Sequence, residues 1–110
     1  MLRFKPEVRI RDWTDQLNVL FHAVSRWSLV LGVEVEVNSV DDGAAIHQPD
    51  TLHGWSLAAD LDTVGDEPQD IRSLAAFLRR VLPVGWDIVD EGDHVHAEWD
   101  THRPPLRRST

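Results

Sequence analysis

Cysteine is absent from the 110 residues. Neither a disulfide framework nor a thiolate metal site can form, so any zinc must be held by nitrogen and oxygen ligands. A basic stripe is missing too. Eleven Lys and Arg stand against 19 Asp and Glu, for a formal net charge of −8. Such a chain has nothing to neutralise a run of phosphates, which argues against a nucleic-acid partner. No apolar run approaches the length of a membrane span. Met1 to Pro6 is not followed by the apolar h-region or cleavage site of a signal peptide. Cytoplasmic synthesis is therefore expected, and any substrate outside the cytoplasm must be reached by other means. There is no internal repeat.

What is present suits one folded domain. The length allows a single core but not two, and 42% apolar residues with five Trp fit a globular chain. Arg11 to Leu31 reads as a helix, because Trp13, Leu17, Leu20, Val24, Trp27 and Leu31 recur at three- and four-residue steps. Gly32 is its expected stop. Val33 to Val37 alternates strictly and reads as a strand with one buried face. Asn38 to Asp50, with Gly43 and Pro49, reads as a loop. Trp55 to Leu61 as a strand puts Trp55, Leu57, Ala59 and Leu61 on one face and Ser56, Ala58 and Asp60 on the other. Thr63 to Pro68 is a turn, and Pro68 suits a helix first turn. Ile71, Leu74, Ala75, Leu78, Val81 and Leu82 mark a second amphipathic helix, ended by Pro83 and Gly85. Trp86 to Val89 and Val95 to Trp99 form a closing strand pair around Asp90-Glu91-Gly92-Asp93. Helices and strands in blocks favour an α+β domain, a small antiparallel sheet flanked by two helices, over residues 1–100. Residues 101–110, with two prolines and three arginines, read as a flexible tail. A monomer is expected.

The chemistry concentrates in two segments. On a strand from Val95 to Trp99, side chains alternate, so His94, His96 and Glu98 share one face while Val95, Ala97 and Trp99 turn to the core. His53 and Asp60, seven residues apart, can bracket the same site from a neighbouring strand. His53, Asp60 and His96 then make a three-ligand zinc site with a vacant fourth position, the catalytic rather than the closed structural pattern. His22, His47 and His102 are expected as ordinary surface or core histidines, although His47 can line the cleft. Trp55 and Trp99 are expected in the core, and Trp86 is open either way. Asp93 and Glu91 are residues that turns commonly use.

The segment Thr51-Leu52-His53-Gly54-Trp55-Ser56-Leu57-Ala58-Ala59-Asp60 resembles the Ser-x-His-x-x-Gly-x-Ala-x-Asp motif of zinc D-Ala-D-Ala carboxypeptidases and phage L-alanyl-D-glutamate endopeptidases. Asp93-His94-Val95-His96 resembles the His-x-His motif of the wider group that includes the lysostaphin and hedgehog folds. Thr51 stands where that family usually has Ser, and Ser56 where it usually has Gly. The similarity spans roughly Val33 to Asp100. It implies a hedgehog/DD-peptidase-like fold, with Zn2+ as cofactor on His53, Asp60 and His96. It also implies a general acid/base about three residues before the last ligand, which is Asp93, with Glu91 as the competitor. His94 would stabilise the oxyanion or orient the water. Thr51 or Gln48 would hydrogen-bond a ligand or the substrate backbone.

The function implied is zinc-dependent hydrolysis of an amide bond in peptidoglycan stem peptides, of phage or prophage type, acting on the cell wall after release or as part of a virion. Asn38 to Leu52 contains no Arg to grip a terminal carboxylate, which favours an endopeptidase over a carboxypeptidase. The alternative is a peptidase-like domain without activity that binds metal as a structural or binding module. An amidase is a third reading, because the same metal and acid serve any amide hydrolysis.

Overall fold

The computed structural model describes residues 1–10, 13–41, 57–65 and 67–99. Seven elements follow in order: β1 (Leu2–Phe4), α1 (Asp15–Leu31), β2 (Val35–Asp41), β3 (Leu57–Thr63), α2 (Pro68–Val81), β4 (Trp86–Asp90) and β5 (Val95–Trp99). The strands form one sheet in the order β1-β2-β3-β5-β4. The α+β architecture with two helices is as expected. The sheet, however, is mixed and not purely antiparallel. β1 runs parallel to β2, while the pairs β2–β3, β3–β5 and β5–β4 are antiparallel. Parallel neighbours need a crossover, and α1 supplies it between β1 and β2. Only three residues make β1, too few for an alternation to show in the sequence.

Helix α1 begins at Asp15, later than Arg11. Its cap is Thr14, whose hydroxyl accepts from the Leu17 backbone N–H at 3.1 Å and satisfies a donor that the first turn leaves over. Trp13 therefore stands outside the helix. It is 54% exposed and meets Phe4 and Phe21 edge to face, with centroids 6.4 and 5.9 Å away. Gly32 ends the helix in the left-handed region at φ 69°, as its position implied. Pro68 opens α2, and Leu82 closes it in extended backbone just before Pro83, the conformation a following proline enforces.

Both helices lie on one side of the sheet. α1 packs on β1, β2 and α2, and α2 on β3, β4 and β5. The core between the layers holds Leu17, Leu20, Val24, Val35, Val37, Leu57, Leu61, Ile71, Leu74, Leu78 and Val95, each at most 2% exposed. Trp99 is buried with them, as expected, and Trp86 is partly buried against it, edge to face at 5.7 Å. Trp27 Nε1 donates to Ser73 Oγ at 3.2 Å and links the helices. Arg79 donates twice to the Ile88 carbonyl, at 3.0 and 3.1 Å, and fastens the end of α2 to β4. Among the described residues no helix is long and apolar enough to cross a membrane.

Strand β2 runs on to Asp41, past the expected end at Val37, so Asn38 to Asp41 is sheet and not loop. A bulge between Val37 and Ser39 is the reason for the difference. One extra residue breaks the period of two, so Val40 returns to the core side one position late. β3 extends to Thr63, beyond Leu61. The sequence assignments to Asp42 through Ser56 and to residues 101–110 lie outside the described residues.

Candidate metal centre

The sheet face away from the helices is polar because each strand alternates. In β3, Leu57, Ala59, Leu61 and Thr63 are buried, while Ala58, Asp60 and Asp62 turn the other way and are half-buried. In β5, Val95, Ala97 and Trp99 are buried and His96 and Glu98 face outward. Register then decides which outward side chains meet. Asp60 lies opposite Ser39 on one side and His96 on the other, and His96 lies opposite Val89. Next to that row, Ala58 lies between Asp41 and Glu98, with Asp87 beyond.

Contacts follow the register. Asp60 Oδ1 is 2.7 Å from His96 Nδ1, and Asp60 Oδ2 accepts from the Ser39 hydroxyl at 3.1 Å. His96 Nε2 is 3.0 Å from Glu98 Oε1. The His96 ring thus has a carboxylate at each nitrogen, which favours its doubly protonated, charged form. Its pKa is raised above the ordinary histidine value, first by the hydrogen bond it donates to Asp60 and then by the one it donates to Glu98, against a smaller opposing effect of burial. His94 Nε2 approaches the same Asp60 oxygen at 3.9 Å, and His94 Nδ1 is 2.6 Å from Asp93 Oδ1. That hydrogen bond to His94 holds the Asp93 carboxyl below the usual aspartate value.

The structure therefore brings together Asp60, His96, His94 and Asp93, all singled out from the sequence. Glu91 is exposed, and its described link to the group is through the backbone, its N–H donating to the His94 carbonyl at 2.9 Å. His53, Thr51, Gln48, Ser56, His47, Trp55 and His102 lie outside the described residues. His22 is on the exposed side of α1, in a groove of about 450 Å³ between the helices, lined with Val19, Arg26, Phe77 and Val81.

Two donors suit a zinc ion by type, an imidazole nitrogen and a carboxylate oxygen on neighbouring strands. Among the described residues no group of three His, Asp or Glu has the geometry to hold a metal. The spacing of 2.7 Å belongs to a hydrogen-bonded pair. Donors around a tetrahedral zinc with bonds of about 2.0–2.1 Å stand roughly 3.3 Å apart, so a proton holds the pair together here.

Two members of the group were not assigned to the site from the sequence. Ser39 was hidden by the bulge, although Val40, displaced by one from the Val35–Val37 alternation, is a signal of it. The alternation of β5 puts Glu98 on the same face as His96, but the contact between them depends on side-chain rotamers that no pattern encodes.

No family model, no curated protein and no solved structure matches the chain.

Proposed function

We propose that this chain is a zinc-dependent peptidase that hydrolyses an amide bond in peptidoglycan stem peptides. The observation that carries the reading is the cross-strand pair of Asp60 and His96, 2.7 Å apart on the open face of the sheet, with His94 directed at the same carboxylate. His53 is the third ligand in this proposal. Its spacing to Asp60, together with the resemblance of both segments to the cell-wall peptidases, supports that choice and the substrate class.

Bound by these residues, zinc would polarise the scissile carbonyl and lower the pKa of its water toward about 7. Ser39 holds one oxygen of Asp60 and leaves the other for the site. Asp93 takes the proton from the attacking water and returns it to the leaving amine. It is favoured over Glu91 because its carboxylate is joined to His94. His94 keeps Nε2 on the Asp60 side, where it steadies negative charge on the carbonyl oxygen. Among the described residues no element covers this face, which suits an extended peptide. Action on the cell wall after release or from a virion, as a monomer, belongs to the same proposal.

Elemental analysis of the purified protein tests the ligands. One zinc per chain is expected, lost in His53→Ala, Asp60→Ala and His96→Ala. Release of peptide fragments from purified peptidoglycan tests the activity, which a chelator and Asp93→Ala should each abolish. A second reading, a metal-binding module without hydrolysis, is favoured by the engagement of both His96 nitrogens by carboxylates. Full zinc occupancy with no hydrolysis of any peptidoglycan would decide for it.

A further inference from the structure

The two helices leave an apolar furrow between them on the side of the molecule away from the sheet. Val19 of α1 and Val81 of α2 share one end of it, and Val30 and Ala76 share the other. Arg26 and Phe77 line both the groove of about 450 Å³ beside His22 and a second of about 390 Å³, which joins the two into one furrow. From Val19 to Val30 it follows α1 for three turns, about 16 Å at 1.5 Å per residue. Its apolar walls are open: Val19 is 38%, Val81 46% and Val30 80% exposed. Its charge is opposite to that of the chain. Arg26 and Arg80 line it and no carboxylate does, although Asp and Glu outnumber Lys and Arg by 19 to 11. Neither arginine has a salt-bridge partner among the described residues. On α2, Arg72 and Ala76 precede Arg80 at four-residue steps, so Arg72 extends the positive row along the rim.

We propose that this furrow docks an amphipathic α-helix of a partner protein, one whose apolar stripe is flanked by Asp and Glu. A stripe at i, i+3, i+4 and i+7 fills the apolar floor, and the flanking carboxylates pair with Arg26 and Arg80. The dimensions suit one helix and not a folded surface. A strip about 16 Å long and one helix wide, about 10 Å, covers on the order of 160 Å², against about 800 Å² per partner in a stable complex of folded proteins. A second copy related by a two-fold axis would set the furrow against itself and bring like charges together at Arg26 and Arg80. Residues 101–110 hold three Arg and no carboxylate, so their charge does not suit the furrow either. The inference is independent of the peptidase reading, because Asp60 and His96 lie on the opposite face of the sheet.

Peptide binding to the full chain tests it. The probe is a fluorescein-labelled synthetic helix of about 15 residues, with Leu at i, i+3, i+4 and i+7 and Glu on either side. A second peptide carries Lys in place of each Glu. In fluorescence polarisation the Glu peptide should bind in the micromolar range, and the Lys peptide at least about tenfold more weakly. Combining Arg26→Glu with Arg80→Glu should weaken the Glu peptide at least about tenfold, and Val30→Ser about tenfold. Val89→Ser, on the opposite face of the sheet, should stay within about twofold. In ¹⁵N spectra of the wild type, shifts caused by the Glu peptide should fall on α1 and α2. Failure of the Glu peptide to bind, equal binding of the Lys peptide, an affinity unchanged by the furrow substitutions, or shifts confined to the strands each overturn the proposal. A chain that sediments as a dimer, and as a monomer in Val30→Ser, overturns it in favour of a second copy. Arg26, Val30 and Arg80 are exposed, so these substitutions do not threaten the core.

Discussion

In the proposed function a proton and a divalent cation would compete for His96, and the neighbours of the ring decide the terms. Asp60 and Glu98 raise the pKa of His96, so its charged form contributes stability that is fully present below the unfolded value of about 6.5. That contribution disappears as pH rises through the higher folded value. Zinc requires the neutral ring. Zinc affinity should therefore increase with pH across the same window, with uptake of the ion releasing a proton. An NMR titration of the metal-free protein should place the His96 midpoint above 6.5, and Asp60→Asn should bring it down. An unshifted wild-type midpoint would contradict the placement of the two carboxylates. Thr63 poses a different problem for a single residue. It is fully buried, and its hydroxyl has no hydrogen-bond partner among the described residues. An unsatisfied buried hydroxyl costs about 1–3 kcal/mol. Thr63→Val, which exchanges that hydroxyl for a methyl group of similar size, should raise stability by about 1 kcal/mol in urea unfolding.

Element by element, what the sequence revealed depended on how many periods of its pattern each segment contains. The two helices and the closing strands β4 and β5 repeat their pattern often enough to be found, and with β5 came the shared face of His96 and Glu98. β1 has too few residues to alternate visibly, and the bulge in β2 disguised Ser39. The pairing of β3 with β5, which sets Asp60 against His96, is a long-range register that neither segment encodes alone. It was inferred only through the chemistry the two segments would share. Loop chemistry at the start of β4 offers a test at this scale. Gly85 has φ 119°, and a Cβ there would lie 2.6 Å from two atoms of the Trp99 ring. Both the backbone conformation and the close approach demand glycine. Gly85→Ala should destabilise the protein by about 2–4 kcal/mol and weaken the near-ultraviolet signal of the Trp86–Trp99 pair. A change under about 0.5 kcal/mol would mean that the Trp99 ring does not pack against Gly85.

At the scale of the molecule, the apolar core and the polar cluster of the proposed site occupy opposite sides of one sheet. The helices and the apolar core lie on one side. Ser39, Asp60, His96 and Glu98 lie on the other, where solvent screens their charges and limits their worth to about 0–1 kcal/mol per pair. The two properties should therefore be separable by mutation. Leu74 is fully buried on α2. Leu74→Ala should cost about 2–5 kcal/mol, which lowers Tm by at least about 8 °C in a domain of this size. It should leave zinc affinity within about twofold at temperatures where the variant is folded, because the strand register that sets Asp60 against His96 runs through backbone hydrogen bonds that Leu74 does not make. Asp60→Asn should do the opposite, changing stability by no more than about 1 kcal/mol while weakening zinc binding severely. Calorimetry of the metal-free variants beside chelator competition on the same samples reads both quantities. If Asp60→Asn unfolded the chain as readily as Leu74→Ala does, the Asp60–His96 pair would be part of what holds the fold together. The open face could then no longer be read as a site added to a framework that is stable without it.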